Sequence, residues 1–165
     1  MNHARLLDCT LRDGAYIIDK TFGDETIRGI ISGLVKARVD YIEVGFFQDE
    51  GFGPGKTVFR NSADAKRYIP ENKEGCTFTV LADYSRFSVD NLDVCTGDSI
   101  DAVRECFFKH ERFAALEACK TIKQKGYKHF QSMWKWNPVF TETQEIRVPG
   151  STLWGTLATP VPVVK

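Results

Sequence analysis

The stretch LDCTLRDG, Leu7 to Gly14, sets an arginine, an aspartate and a glycine directly after an apolar run. With the residues before it the run reads RLLDCTL, apolar enough for a short strand buried on both faces. Arg12 and Asp13 then stand at the carboxyl end of that strand, and Gly14 lets the chain turn at once. In mid-strand these charges would meet the desolvation cost of an apolar core; at the carboxyl end they face the crevice where parallel sheets bind ligands. A carboxylate there can hold a hard divalent cation through oxygen, and a guanidinium can hold an enolate or a carboxylate by paired hydrogen bonds. A charged pair that merely ends a strand is the competing reading of these residues.

Outward from this stretch the chain alternates between two periods. From Asp24, a candidate N-cap, Ile27, Ile30, Ile31, Leu34 and Val35 recur at three- and four-residue steps, which predicts a helix ending near Ala37. VDYIEVGFF predicts a second strand over Tyr41 to Phe46, and the glycines and Pro54 of QDEGFGPGKTVFRN predict a loop without regular structure. Ser62 is read as the cap of a short helix through Tyr68, CTFTVLA as a third strand and SIDAVRECFF as a fourth. RFAALEACKTIKQKGY predicts a helix that turns Phe113, Leu116, Ala118, Cys119 and Ile122 towards a core and stops at Gly126; YKHF starts a fifth strand. Strand, helix, strand, helix at this spacing is an α/β pattern with parallel strands, in a sheet that is either open or closed.

Composition narrows the function classes. The 22 basic and 22 acidic side chains cancel, so no global field draws in nucleic acid or an anionic membrane. No apolar run approaches the roughly 20 residues of a membrane span, and the expectation is a soluble cytoplasmic protein. Cys9, Cys76, Cys95, Cys106 and Cys119 are dispersed without zinc spacing and read as buried thiols in a reducing compartment. GFGPGKT is a poor phosphate loop, because Glu50 stands where the first glycine would and Pro54 removes an amide donor. His110, just after the fourth strand, either faces the crevice or is an ordinary surface or core histidine. Residues 129–165 hold all three tryptophans and four of the six prolines without a persistent period, so the domain is drawn over residues 1–128. The remainder is read as a divergent tail from a truncation or frame shift, with an irregular capping or pairing segment as the alternative.

LDCTLRDG resembles the D-x-T-L-R-D-G signature of the DRE-TIM metallolyases, the family of 3-hydroxy-3-methylglutaryl-CoA lyase and the pyruvate carboxyltransferase-like enzymes. VDYIEVGF is similar to the family's second strand, and a looser likeness runs through IDAVRECFFKHE and KQKGYK, covering about residues 5–128. The branch most resembled is that of the 4-hydroxy-2-oxovalerate aldolases. The resemblance implies the N-terminal half of a (β/α)8 TIM barrel, about four parallel strand-helix units, which makes or breaks a carbon-carbon bond of a small 2-oxo acid through an enolate. Mg or Mn would be the Lewis acid. Arg12 matches the arginine that steadies the enolate oxygen and Asp13 the carboxylate metal ligand. Glu43 would lie near the site, or else be a buried carboxylate paired with a lysine or arginine; Arg104 is a weaker substrate-binding candidate.

Two departures qualify the match. The aldolases carry a histidine base soon after the glycine, where this chain has Ala15 and Tyr16; Tyr16 could assist a proton transfer, but an ordinary tyrosine pKa of about 10 makes a poor base. The family's late H-x-H pair has no counterpart among His3, His110 and His129, and a full barrel takes about 250 residues. The expectation is therefore a metallolyase with an incomplete metal site, inactive by itself. The alternative is a non-catalytic half-barrel that pairs with a second copy or a complementing chain through its sheet edges.

Overall fold

The computed structural model describes residues 5–134 and 152–153. The strands are β1 (Leu7–Asp8), β2 (Tyr41–Phe47), β3 (Val58–Phe59), β4 (Thr77–Asp83), β5 (Ala102–Phe108), β6 (Lys128–Trp134) and β7 (Thr152–Leu153). The helices are α1 (Thr10–Asp13), α2 (Asp24–Lys36), α3 (Ser62–Lys66) and α4 (Arg112–Gln124). β2 is buried at every position, as expected of a parallel strand covered on both faces. All the strand ladders are parallel, and neighbours follow chain order, β1-β2-β4-β5-β6-β7, with β3 beside β2. A sheet wound in one direction without reversal is the arrangement of a barrel segment; a doubly wound sheet reverses at its switch point. The fold is α/β, half of a parallel barrel.

The two faces of the sheet carry different cores. Ile42, Val44, Phe47, Phe78, Val80 and Val103 pack with Ile27, Ile31 and Val35 of α2 and Ile122 of α4 on the outer face. On the inner face Phe46, Leu81 and Cys106 pack with Ala15 and Val58, and Tyr41, Ala102 and Phe130 with Leu7. A bulge in β2 makes this sorting possible. Glu43 pairs Thr79 but Phe46 pairs Leu81, so β2 holds one extra residue and Phe46 returns to the face of Glu43. Gly45 lies in the bulge at φ +148°, where an added Cβ would fall 2.0 Å from the Thr57 carbonyl oxygen.

Local departures from the expected elements have local causes. β1 ends at Asp8 and TLRD is a helical turn, because the Asp8 carboxylate accepts from the Thr10 amide and hydroxyl, both at 3.0 Å, and bends the chain. β3 forms inside the glycine-rich loop and takes over the edge of β2 that β1 vacates, pairing Phe46 and Phe47. Asn61, not Ser62, caps α3 by accepting from the Asp64 amide at 3.0 Å. Asp24 is the first residue of α2, and its carboxylate accepts instead from the Gly55 amide at 2.9 Å and from the Tyr68 hydroxyl. That contact occupies an amide a phosphate would need. Phe113 is 66% exposed: it lies two residues, about 200° of helix, from buried Ala115, and Arg112 sits over its ring at 4.4 Å. β6 carries the sheet past His129, which is buried; residues 135–151 and 154–165 of the expected tail lie outside the described residues.

Among the described residues no helix is long and apolar enough to cross a membrane. All five cysteines are free thiols, with Cys76, Cys106 and Cys119 buried.

Glu105, on the outer face of β5, is 2% exposed beneath α4 and accepts from the Cys119 thiol at 2.5 Å. Burial, only partly offset by that bond, pushes its carboxyl up to about 7. A folded pKa above the unfolded one means that the native state holds the proton more tightly. Stability is therefore greatest below the unfolded value and falls as pH rises from about 4.5 through about 7. The expected loss between pH 5 and pH 8 is on the order of 2–3 kcal/mol, read from urea midpoints. Glu105→Gln should flatten the profile, and an equally steep variant would assign the slope to other groups.

Candidate functional site

The inner face brings together four of the five residues singled out from the sequence. Because β1 stops early, Glu43 lies on β2 between the segment paired by β1 and the segment paired by β3, and the turn of α1 carries Arg12 to it. Arg12 Nε donates to Glu43 Oε2 at 2.7 Å. Arg104, from β5, donates to the same carboxylate through Nε and Nη2, each at 2.7 Å. Arg12 Nη1 and Nη2 both donate to Asp13, the latter at 2.9 Å. Glu43 is fully buried and Arg12 9% exposed, whereas the Asp13 side chain is 62% exposed. The paired-carboxylate reading of Glu43 and its proximity to Arg12 therefore hold together.

Burial alone would push the Glu43 carboxyl up, but the hydrogen bonds and charges of Arg104, and then of Arg12, hold it below the usual carboxylate range. Burial likewise pulls both guanidiniums down, and Glu43 more than compensates, so each is raised. Glu43 and Asp13 balance the two guanidiniums in number, but Asp13 is turned to solvent, so the buried part of the cluster, two cations and one anion, is the part that suits an anionic ligand. Arg12 has five N–H donors and spends three on these carboxylates, and its side chain also acts on the Cys9 thiol. Beside it, burial and then the Glu43 carboxylate push the Cys9 thiol up to about 11, so Cys9 stays neutral and a poor nucleophile near pH 7. Beneath Arg104 the inner face encloses a hollow of about 10 Å³ among Leu7, Tyr41, Thr79 and Phe130, room for one water at most. A ligand must approach from the carboxyl ends of the strands.

Tyr16 does not join the cluster. It is 58% exposed in the turn Gly14–Ile18, its ring edge-on to Phe46 at 5.5 Å. His110 stacks on Phe108 at 5.8 Å and is exposed. Sequence reasoning missed Lys20 and Gln48. Lys20 Nζ donates to Gln48 Oε1 at 2.9 Å and lies 5.1 Å from the Phe46 ring. The available signal was a lysine in the loop that follows LDCTLRDG, but no spacing ties it to Gln48.

The residues present do not by themselves fit a Mg or Mn site. Such ions take six or more oxygen ligands, some of them water. Asp13 has both oxygens engaged by Arg12, and Glu43 is spent on two guanidiniums that repel a cation. No group of three or more metal-ligating side chains is found among the described residues.

No family model matches the chain. It is 26% identical over 125 residues to an oxaloacetate decarboxylase of Mycobacterium tuberculosis, a match covering 73% of this chain and 36% of that protein. It superposes with TM-score 0.61 and 20% identity on the crystal structure of the N-terminal domain of a protein assigned as an aldolase, from Bacteroides vulgatus. That likeness covers 79% of this chain and 44% of the other. The chain thus spans about a third of the curated relative and under half of the solved structure, and at this identity the structural likeness concerns the fold.

Proposed function

We propose that this chain supplies the first half of the inner wall of an aldolase or lyase of the DRE-TIM metallolyase type, which cleaves or forms a carbon-carbon bond of a small 2-oxo acid through an enolate. The observation that carries the reading is Arg12, held on the inner face by Glu43 and Asp13, which take three of its five N–H donors. A guanidinium fixed in this way meets the developing enolate oxygen, or the adjacent carboxylate, without reorganising at the moment of reaction. Arg104 shares Glu43 and fixes the side on which that carboxylate is satisfied. The relative's name, oxaloacetate decarboxylase, supports lyase chemistry on a 2-oxo acid. The Mg or Mn of this reading needs ligands beyond the described residues, and Tyr16, which rests its ring on Phe46 and makes no bond to the cluster, would have to move towards Arg12 to assist a proton transfer. The second reading, a half-barrel that pairs with another copy or a complementing chain, is favoured by the edge at β1, where two residues cover only the start of β2.

Oxalate, a planar mimic of the pyruvate enolate, tests the role of Arg12 on the 165-residue protein. Calorimetry should find binding near 1 mM or tighter, and Arg12→Lys, which keeps the charge but loses the planar fork, should weaken it at least about tenfold. Equal affinity in both proteins, with unchanged circular dichroism, overturns the role of Arg12. Light scattering on the same samples separates a monomer from the paired half-barrel.

A further inference from the structure

We infer that Lys20, held by Gln48, is a second anion anchor of this site and takes the distal carboxylate of a dicarboxylic 2-oxo acid whose oxo-acid end lies against Arg12. The inference rests on the reading of Arg12 just proposed and adds the substrate class. Phe46, over which the Lys20 ammonium sits, stands one inner-face register step beyond Glu43, roughly 7 Å along β2. A small diacid is of about the length of that step. Lys20 is not a loose surface lysine. Its amide donates to the Ala15 carbonyl at 2.7 Å, its carbonyl accepts from the Thr57 amide at 3.0 Å, and Asp19 and Lys20 both hold positive φ, 47° and 60°. Gln48, which orients the ammonium, is 5% exposed.

The charge around Lys20 is unbalanced. Burial, and then Arg86, with Lys56 behind it, lower its pKa more than Asp19 and Glu50 raise it. No carboxylate among the described residues lies within ion-pair distance of Nζ. An ammonium that is half-buried, crowded by two other cations and bonded only to a neutral amide gains from a bound anion. The ammonium is held by Gln48, just past the end of β2, and so lies at the carboxyl ends of the strands, where the ligand has to enter.

The probes are 2-oxoglutarate and its 5-methyl ester, which differ only in the distal charge, titrated into the full chain and into Lys20→Met. Methionine keeps the stem packed on Phe46 and removes the ammonium. The wild-type protein should bind the diacid at least about tenfold tighter than the ester, and Lys20→Met should bring the ratio close to one while leaving the ester unaffected. A wild-type ratio near one, or a preference that survives in Lys20→Met, overturns the role of Lys20 and leaves Arg12 in place. Failure of the wild-type chain to bind either probe overturns both readings.

Discussion

Glu43→Leu should destabilise the protein by about 3–5 kcal/mol, because it leaves the Arg12 and Arg104 guanidiniums together inside the sheet without their shared anion. Both have lost most of their water, and the three hydrogen bonds at 2.7 Å are what replaces it. At ordinary denaturant sensitivity the urea midpoint falls by on the order of 2 M. The triple variant Arg12→Met, Glu43→Leu, Arg104→Met separates the cost of a broken network from the net worth of an intact one. Exchanging the whole buried cluster for apolar side chains of similar volume is commonly neutral or stabilising, so the triple variant should recover most of the loss while losing any affinity for oxalate. A single Glu43→Leu variant within 1 kcal/mol of wild type would mean that water reaches both arginines and that the cluster is not a desolvated site.

The second large effect concerns the bulge in β2. Gly45→Ala should cost about 3 kcal/mol or more, because the methyl group would meet the Thr57 carbonyl at 2.0 Å, and a backbone carbonyl cannot swing aside as a side chain can. The strained φ of +148° adds to the cost. If the bulge is squeezed out instead, Phe46 leaves the face of Glu43 and the support under Lys20 goes with it. Gly29→Ala in α2 is the matched control. Its added Cβ meets nothing within 4 Å, and removing a glycine from an exposed helix interior should stabilise by roughly 0.5–1 kcal/mol. Urea melts of the two variants should therefore move in opposite directions. A Gly45→Ala protein as stable as wild type would show that the backbone at Thr57 gives way to a methyl group without cost.

The parts of this molecule that were legible in the sequence are those whose cause is local. Ile27, Ile31 and Val35 recur one helical turn apart, so α2 and its buried face follow from periodicity. β2, β4 and β5 are short, mostly apolar runs, long enough to be strands and too short for helices. Arg12 and Asp13 stand out because they follow an apolar run directly, whereas Glu43 and Arg104 are marked by the family resemblance, and all four meet on the inner face. The period of α4 predicts the helix but not its rotation at the start, where Phe113 is exposed. An aromatic residue in the first turn carries no information about which face is inward.

The sequence by itself determined the alternation of strands and helices and the charged residues that cannot be buried without partners, because propensity, period and desolvation act within a few residues. Only the tertiary structure decided which charges are partners. Glu43 and Arg104 are 61 residues apart, and their bond depends on β4 lying between β2 and β5 in register. The same holds for the helical turn that shortens β1, the edge that β3 takes over, and the bulge at Gly45. Each is set by backbone groups of one segment competing for donors and acceptors of another, and a one-residue slip in a strand exchanges its two faces. Lys20 shows the limit most clearly. Its place soon after LDCTLRDG says nothing of its partners, and it comes to the inner face only because the fold lays Phe46 beneath it and Gln48 beside it.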